Sequence, residues 1–295
     1  MNSVTSRTVL IVVACASFGL LYAPVFAKLV HDWATDDNYS HGFLILPLAL
    51  YFVWERRTRL AAITPEPSLV GLGVVLAGLG MLLAGLLGAE LFLTRLSIIV
   101  VTAGATLFLF GWRICGVLAF PLLFLLLMIP IPALIFNQIA FPLQLLASRA
   151  GETTLSALNI PVLREGNVIV LAHTTLEVAE ACSGIRSLIS LLTLGIVYGY
   201  FSDPRPGVRA LIALSTIPIA VFANGARVAG TGVAAHYYGT AAAQGFFHTF
   251  SGWLVFVVAF GLLFAVTQLL IRAVPRHRAS EPAPAVAAPP VERAI

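Results

Sequence analysis

The chain has 295 residues, of which 59% are hydrophobic and only 10% charged, and its mean hydropathy is +0.97. A soluble domain carries roughly 25% charged residues, so a water-soluble fold is excluded. Three cysteines are too few for a disulfide scaffold, and the apolar content is too high for disorder. What remains is an all-α, polytopic helical bundle in a membrane. The net charge of +4 is small and reads as membrane topology rather than affinity for nucleic acid.

A helix crossing the hydrocarbon core needs about 20 mostly apolar residues. Eight stretches qualify in chain order: residues 8–30, 42–54, 69–88, 91–110, 114–130, 184–201, 209–228 and 250–271. The first has Arg7 ahead of an apolar run too long for a signal peptide, with no clean cleavage site, and reads as an uncleaved helix. The second is short and is expected to extend back into residues 39–41. Six glycines crowd the third (Gly71, Gly73, Gly78, Gly80, Gly85, Gly88), a composition that lets helices approach closely in lipid. The fifth ends at Ile129-Pro130-Ile131-Pro132, where two prolines stop a helix. Residues 133–150 are apolar but carry Asn137, Gln138, Pro142 and Gln144, the pattern of an interfacial or re-entrant helix. Residues 279–295 are Pro/Ala-rich and read as a disordered cytoplasmic tail, leaving 1–278 as the membrane domain.

With the N-terminus inside, the inner segments hold eleven Lys and Arg and the outer segments six. The positive-inside rule therefore predicts N-in, C-in. Asp32, Asp36 and Asp37 then fall outside.

Ionisable groups at membrane helices are costly, which makes them functional candidates. Cys182 lies just before, and within the first turn of, the sixth stretch, where the helix dipole favours thiolate, and Arg186 follows four residues on, on the same helix face. Cys15 and Cys115 lie in apolar runs and read as inert packing residues. Asn224 and Arg227 end the seventh stretch, and His248 opens the eighth. Taken singly, Arg227 reads as a snorkelling anchor and His248 as an interfacial polar anchor. Taken together they read otherwise. Cys182 precedes Arg205 by 23 residues, Arg227 follows Arg209 by 18, and His248 precedes Arg272 by 24. These separations are roughly 35, 27 and 36 Å of helix, so each group reaches the outer interface from an inner arginine. A thiol at that depth is a nucleophile, an imidazole a proton carrier, and a guanidinium a partner for a thiolate or an oxyanion. Glu180 and Asn224 are near enough in sequence to orient a partner.

Five separated segments carry a resemblance: Asn38-Tyr-Ser-His-Gly42, Met128-Ile-Pro-Ile-Pro132, Glu180-Ala-Cys-Ser-Gly-Ile-Arg-Ser-Leu188, Asn224-Gly-Ala-Arg227 and His248-Thr-Phe-Ser-Gly-Trp253. In these the chain resembles the exosortase/archaeosortase family of membrane cysteine transpeptidases. The resemblance implies catalytic roles for Cys182, Arg227 and His248, and supporting or substrate-binding roles for Glu180, Ser183, Gly184, Arg186, Asn224 and His41. It implies that the partners are exported proteins with a C-terminal sorting tail: a Pro-Glu-Pro-type motif, a transmembrane helix and a basic cluster. Cleavage would occur at the periplasmic face of a bacterial inner membrane through a Cys thioester, with a polysaccharide or lipid among the acceptor classes, and with a link to exopolysaccharide production. No Gly-rich phosphate loop, His-Glu-x-x-His or other metal-ligand cluster is visible, so neither cofactor nor metal is expected. Two readings of other classes stand beside this one. A transporter would use Arg227 and Glu180 to line a polar path, and a non-catalytic assembly protein for polysaccharide export would not need the thiol. A serine protease through Ser183 lacks a second catalytic partner that stands out.

Overall fold

The computed structural model describes residues 3–172, 174–178, 184–239 and 246–274. The elements in order are α1 (Ser3–Thr35), α2 (Gly42–Glu55), α3 (Arg57–Ala61), α4 (Leu69–Leu87), α5 (Leu91–Phe110) and α6 (Trp112–Phe124), which a 3-10 turn (Leu125–Met128) extends. Then come α7 (Ala133–Ala157), β1 (Val162–Glu165), β2 (Val168–Leu171), β3 (Thr174–Glu177), α8 (Ile185–Ser202), α9 (Pro206–Tyr238) and α10 (Phe246–Ala273). The chain is an all-α, multi-pass membrane protein with one small sheet added.

Among the described residues, six segments are long and apolar enough to cross a bilayer: Val12–Thr35, Leu69–Leu87, Leu91–Phe110, Ile185–Ser202, Pro206–Tyr238 and Gly252–Ala273. Two of the eight predicted spans differ. Helix α2 has 14 residues, about 21 Å, and falls short of a hydrocarbon core of about 30 Å. It begins at Gly42, because residues 37–41 form a turn rather than the expected extension. Trp112–Met128 meets Ala133–Ala157 at a 79° bend, and the bent pair makes a seventh span if it is one crossing. The tail predicted for residues 279–295 lies outside the described residues.

The bend follows from its prolines. Ile129 precedes Pro130 and is extended, at φ −90° and ψ 120°, because the proline ring disfavours helical backbone in its predecessor. Pro132 has no N–H to offer the Met128 carbonyl four residues back. Trp33 Nε1 donates to that carbonyl instead, at 2.9 Å. The His41 Nε2 donates to the adjacent Leu127 carbonyl at 3.1 Å.

Helices α4 and α5 pack along their length. Of the six glycines in this region, Gly71, Gly78 and Gly85 face α5. A β-carbon on Gly78 would stand 2.6 Å from Val101, and one on Gly85 2.7 Å from Thr94. Gly73 and Gly80 meet nothing. On its outer side α4 exposes Leu69, Leu72, Leu76, Leu83, Leu86 and Leu87, a surface suited to lipid. At the end of the pair, buried Arg95 pairs with Asp32 of α1, which Lys28 also approaches at 3.1 Å.

The sheet is an antiparallel meander in the order β1-β2-β3. Its inner face packs Ile169, Leu171 and Val178 against Leu155 of α7 and Val228 and Ala235 of α9. A second cluster joins α8, α9 and α10 through Leu191, Ile212, Ala220, Ala259 and Leu263. Helix α9 is common to both clusters: its second half packs on the sheet, and its first half on α8 and α10.

Candidate active site

The middle of α9 is the meeting point. Gly184 caps α8 in the left-handed conformation, φ 80° and ψ 0°, which glycine adopts without the penalty a β-carbon brings. Its carbonyl accepts from Leu188 N at 2.7 Å and starts the helix. The Asn224 side chain fills the space that glycine leaves: a β-carbon on Gly184 would lie 2.7 Å from Asn224 Cγ. Asn224 is buried, 4% exposed. One turn further along α9, Arg227 turns to α10. A β-carbon on Gly252 would lie 3.2 Å from Arg227 Nη2. Gly252 is one helical turn from His248, and residues four apart share a helix face. Asn224 and Arg227, three apart, thus touch the cap of α8 and the first turns of α10, at Gly184 and Gly252, which follow Cys182 by two residues and His248 by four in the chain.

Cys182, Glu180 and Ser183 lie outside the described residues. The backbone of His248 belongs to the first turn of α10, and its side chain lies outside the described ones. Gly184 stands two residues after Cys182. The expectation that Cys182 and Arg186 share one helix face is corrected, because left-handed Gly184 interrupts any continuous helix between them and α8 begins at Ile185. Arg227 does not end its helix as expected. Helix α9 runs on to Tyr238, because Val228, Ala229, Gly232 and Ala235 are buried beyond the predicted boundary.

Arg186 turns to the segment 37–38. It donates from Nε to Asn38 Oδ1 at 3.2 Å and pairs through Nη1 with Asp37 at 3.3 Å. The Asn38–Gly42 segment is therefore joined to the start of α8. Its other residues hold it to the bend. Tyr39 is buried in the same core as Trp33 and Met128, and the Trp33 ring occupies the space a β-carbon on Gly42 would need. His41 takes the N-cap position of α2 without a capping side-chain bond, and its ring bonds Leu127 instead. Burial pushes the His41 imidazole below its ordinary value of 6.5, against the bond to Leu127, which raises it. The ring thus ties the turn ahead of α2 to the bend. Cys15 is exposed on α1 and Cys115 is half-buried in α6.

Sequence reasoning did not single out three contributors to this region. Asp37 is the ionic partner of Arg186. Trp33 fastens the bend. The meander β1–β3 lies directly ahead of Cys182 in the chain, and its signal was Glu165-Gly166-Asn167-Val168, two turn residues between apolar runs. Among the described residues, no group of three or more His, Cys, Asp or Glu could hold a metal ion.

No curated protein and no solved structure matches the chain. The family described as transmembrane exosortase matches residues 33–265, a stretch that contains all five motif segments and the whole of the α8–α9–α10 junction. The chain belongs to the transmembrane exosortase family.

Proposed function

We propose that this membrane transpeptidase-like protein is a cysteine peptidase that cuts C-terminal sorting tails outside the cytosol and passes the new carboxyl end to an acceptor. One observation carries the reading: Asn224 lies against Gly184 and Arg227 against Gly252, so α9 gathers the neighbours of Cys182 and His248 at one level of the bundle.

In this reading the Cys182 thiolate attacks the substrate carbonyl carbon and forms a C–S bond. The electron pair of the C=O bond moves to oxygen, and the Arg227 guanidinium, always charged, stabilises that oxyanion. The intermediate collapses, the C–N bond breaks, and protonated His248 gives its proton to the departing amine. A thioester remains on Cys182. An amine, a hydroxyl or water then attacks the thioester, loses its proton to His248, and releases the thiolate. The basic cluster of the sorting tail stays on the cytosolic side by the rule that orients the enzyme itself. Exported proteins bearing such tails are the proposed partners, and a bacterial inner membrane with the site on its periplasmic face is the proposed location.

The test is to express the enzyme with a tailed substrate and follow the size of the substrate. The Cys182→Ala variant is expected to leave the tail in place. The wild-type enzyme with a slow acceptor is expected to show a substrate-sized mass increment on the Cys182 peptide that hydroxylamine removes. Continued processing by Cys182→Ala would refute the assignment.

A further inference from the structure

The meander β1–β3 has no task in the mechanism so far. Its outer strand, β3, pairs on one side only among the described residues. The phase of its hydrogen bonds can be read. Val178 N donates to Asn167 O at 2.9 Å, and the register pairs Val168 with Glu177, Ile169 with Leu176, Val170 with Thr175 and Leu171 with Thr174. Bonded and non-bonded pairs alternate along an antiparallel ladder. Leu176 and Thr174 therefore face β2 with their backbone groups, like Val178. Thr175 and Glu177 turn their amides and carbonyls the other way. Both residues are exposed, whereas Val178 is buried and Leu176 packs with it against α9. The inner face is fixed and the outer edge is presented.

Such an edge is a template for an added strand. Its position decides what would add to it. Cys182 is the fifth residue after Glu177, a span of at most about 18 Å. A peptide lying along Thr175 and Glu177 passes within that reach of the thiol. Resting on the peptide-cleaving reading above, we infer that β3 is the docking strand for the substrate. An extended segment of the exported protein, flanking the scissile bond, adds to the sheet as a fourth strand through the backbone groups of Thr175 and Glu177. Backbone pairing fixes the direction and register of the peptide while leaving its alternate side chains free to be read elsewhere.

Proline provides the probe on the enzyme. Thr175→Pro removes an outward N–H and no bond of the β2–β3 ladder, a place where strands accept proline. In the full-length enzyme, Thr175→Pro is expected to lower kcat/KM for a tailed substrate about three- to tenfold, the scale of one lost hydrogen bond. Thr175→Ala keeps the N–H, so a loss as large as that of Thr175→Pro would assign the effect to the side chain and overturn the backbone docking. The second probe leaves the enzyme untouched. Substrates N-methylated at one amide at a time around the scissile bond are expected to lose processing at every second position, the period of a strand. Uniform loss, or none, across that series overturns the docking strand. If the same assay shows wild-type processing abolished by Cys182→Ala, the peptidase reading survives that failure. If the wild type leaves every tailed substrate uncut, both fall together.

Discussion

Gly184 and Gly252 perform different tasks, and substitution separates them. Ala at Gly184 has to take a left-handed backbone, at about 1–2 kcal/mol, and its β-carbon would collide with Asn224 Cγ at 2.7 Å. Ala at Gly252 meets only the end of the flexible Arg227 side chain at 3.2 Å. Gly184→Ala is therefore expected to lower thermal stability by about 2 kcal/mol or more and to abolish processing. Gly252→Ala should fold like wild type and process at a reduced rate. Equal effects of the two variants on stability would contradict the packing. Reading the Cys-Ser-Gly-Ile-Arg segment from sequence alone gives the identity of Gly184 but not its backbone angle. That angle goes with a close approach of Asn224, forty residues later in the chain, which spacing along the sequence does not reveal. Arg186 shows the same limit. Spacing places it near Cys182, but its guanidinium answers to Asp37 and Asn38 on a distant turn.

At the scale of elements, apolar runs alone were enough to locate six crossing helices, since length and hydropathy are local properties. The ends of helices were less legible. Helix α9 outruns its apolar stretch because its second half is buried by the sheet and α7, and burial by a partner leaves no mark on hydropathy. The sheet itself was hidden by brevity: each strand has four residues, too few for alternation to stand out from a membrane sequence. The glycines of α4 divide by a rule that crowding alone does not reveal. Gly71, Gly78 and Gly85 recur every seven residues and face α5, while Gly73 and Gly80 face open space. Gly78→Leu is expected to force the two helices apart and to destabilise the protein by about 1–3 kcal/mol, and Gly80→Leu to change little. Thermal unfolding of the two variants in one detergent measures the contrast, and equal melting would show that the seam is misassigned.

For the whole molecule, the motif segments that lie far apart in the chain gather into two linked groups. Asn38–Gly42, the bend at residues 127–132 and the start of α8 form one, through Arg186, Trp33 and His41. The facing turns of α8, α9 and α10 form the other. Arg186 belongs to the same α8 turn as Gly184 and ties the two groups together. Its pair with Asp37 is largely exposed, so its contribution to stability should be small, about 0–1 kcal/mol, while its effect on alignment is larger. Arg186→Ala and Asp37→Ala are expected to reduce processing by more than their stability loss explains, and the double variant should be no worse than either alone. Additive losses in that cycle would separate Arg186 from Asp37. The prolines of the bend give this arrangement its final consequence. A straight helix consumes its own carbonyl lone pairs. By halting α6 early, Pro130 and Pro132 leave two of them over, and Trp33 and His41 take them up. The interruption is thus an adhesive: straighten that helix, and the turn carrying Asp37 and Asn38 loses its moorings to it.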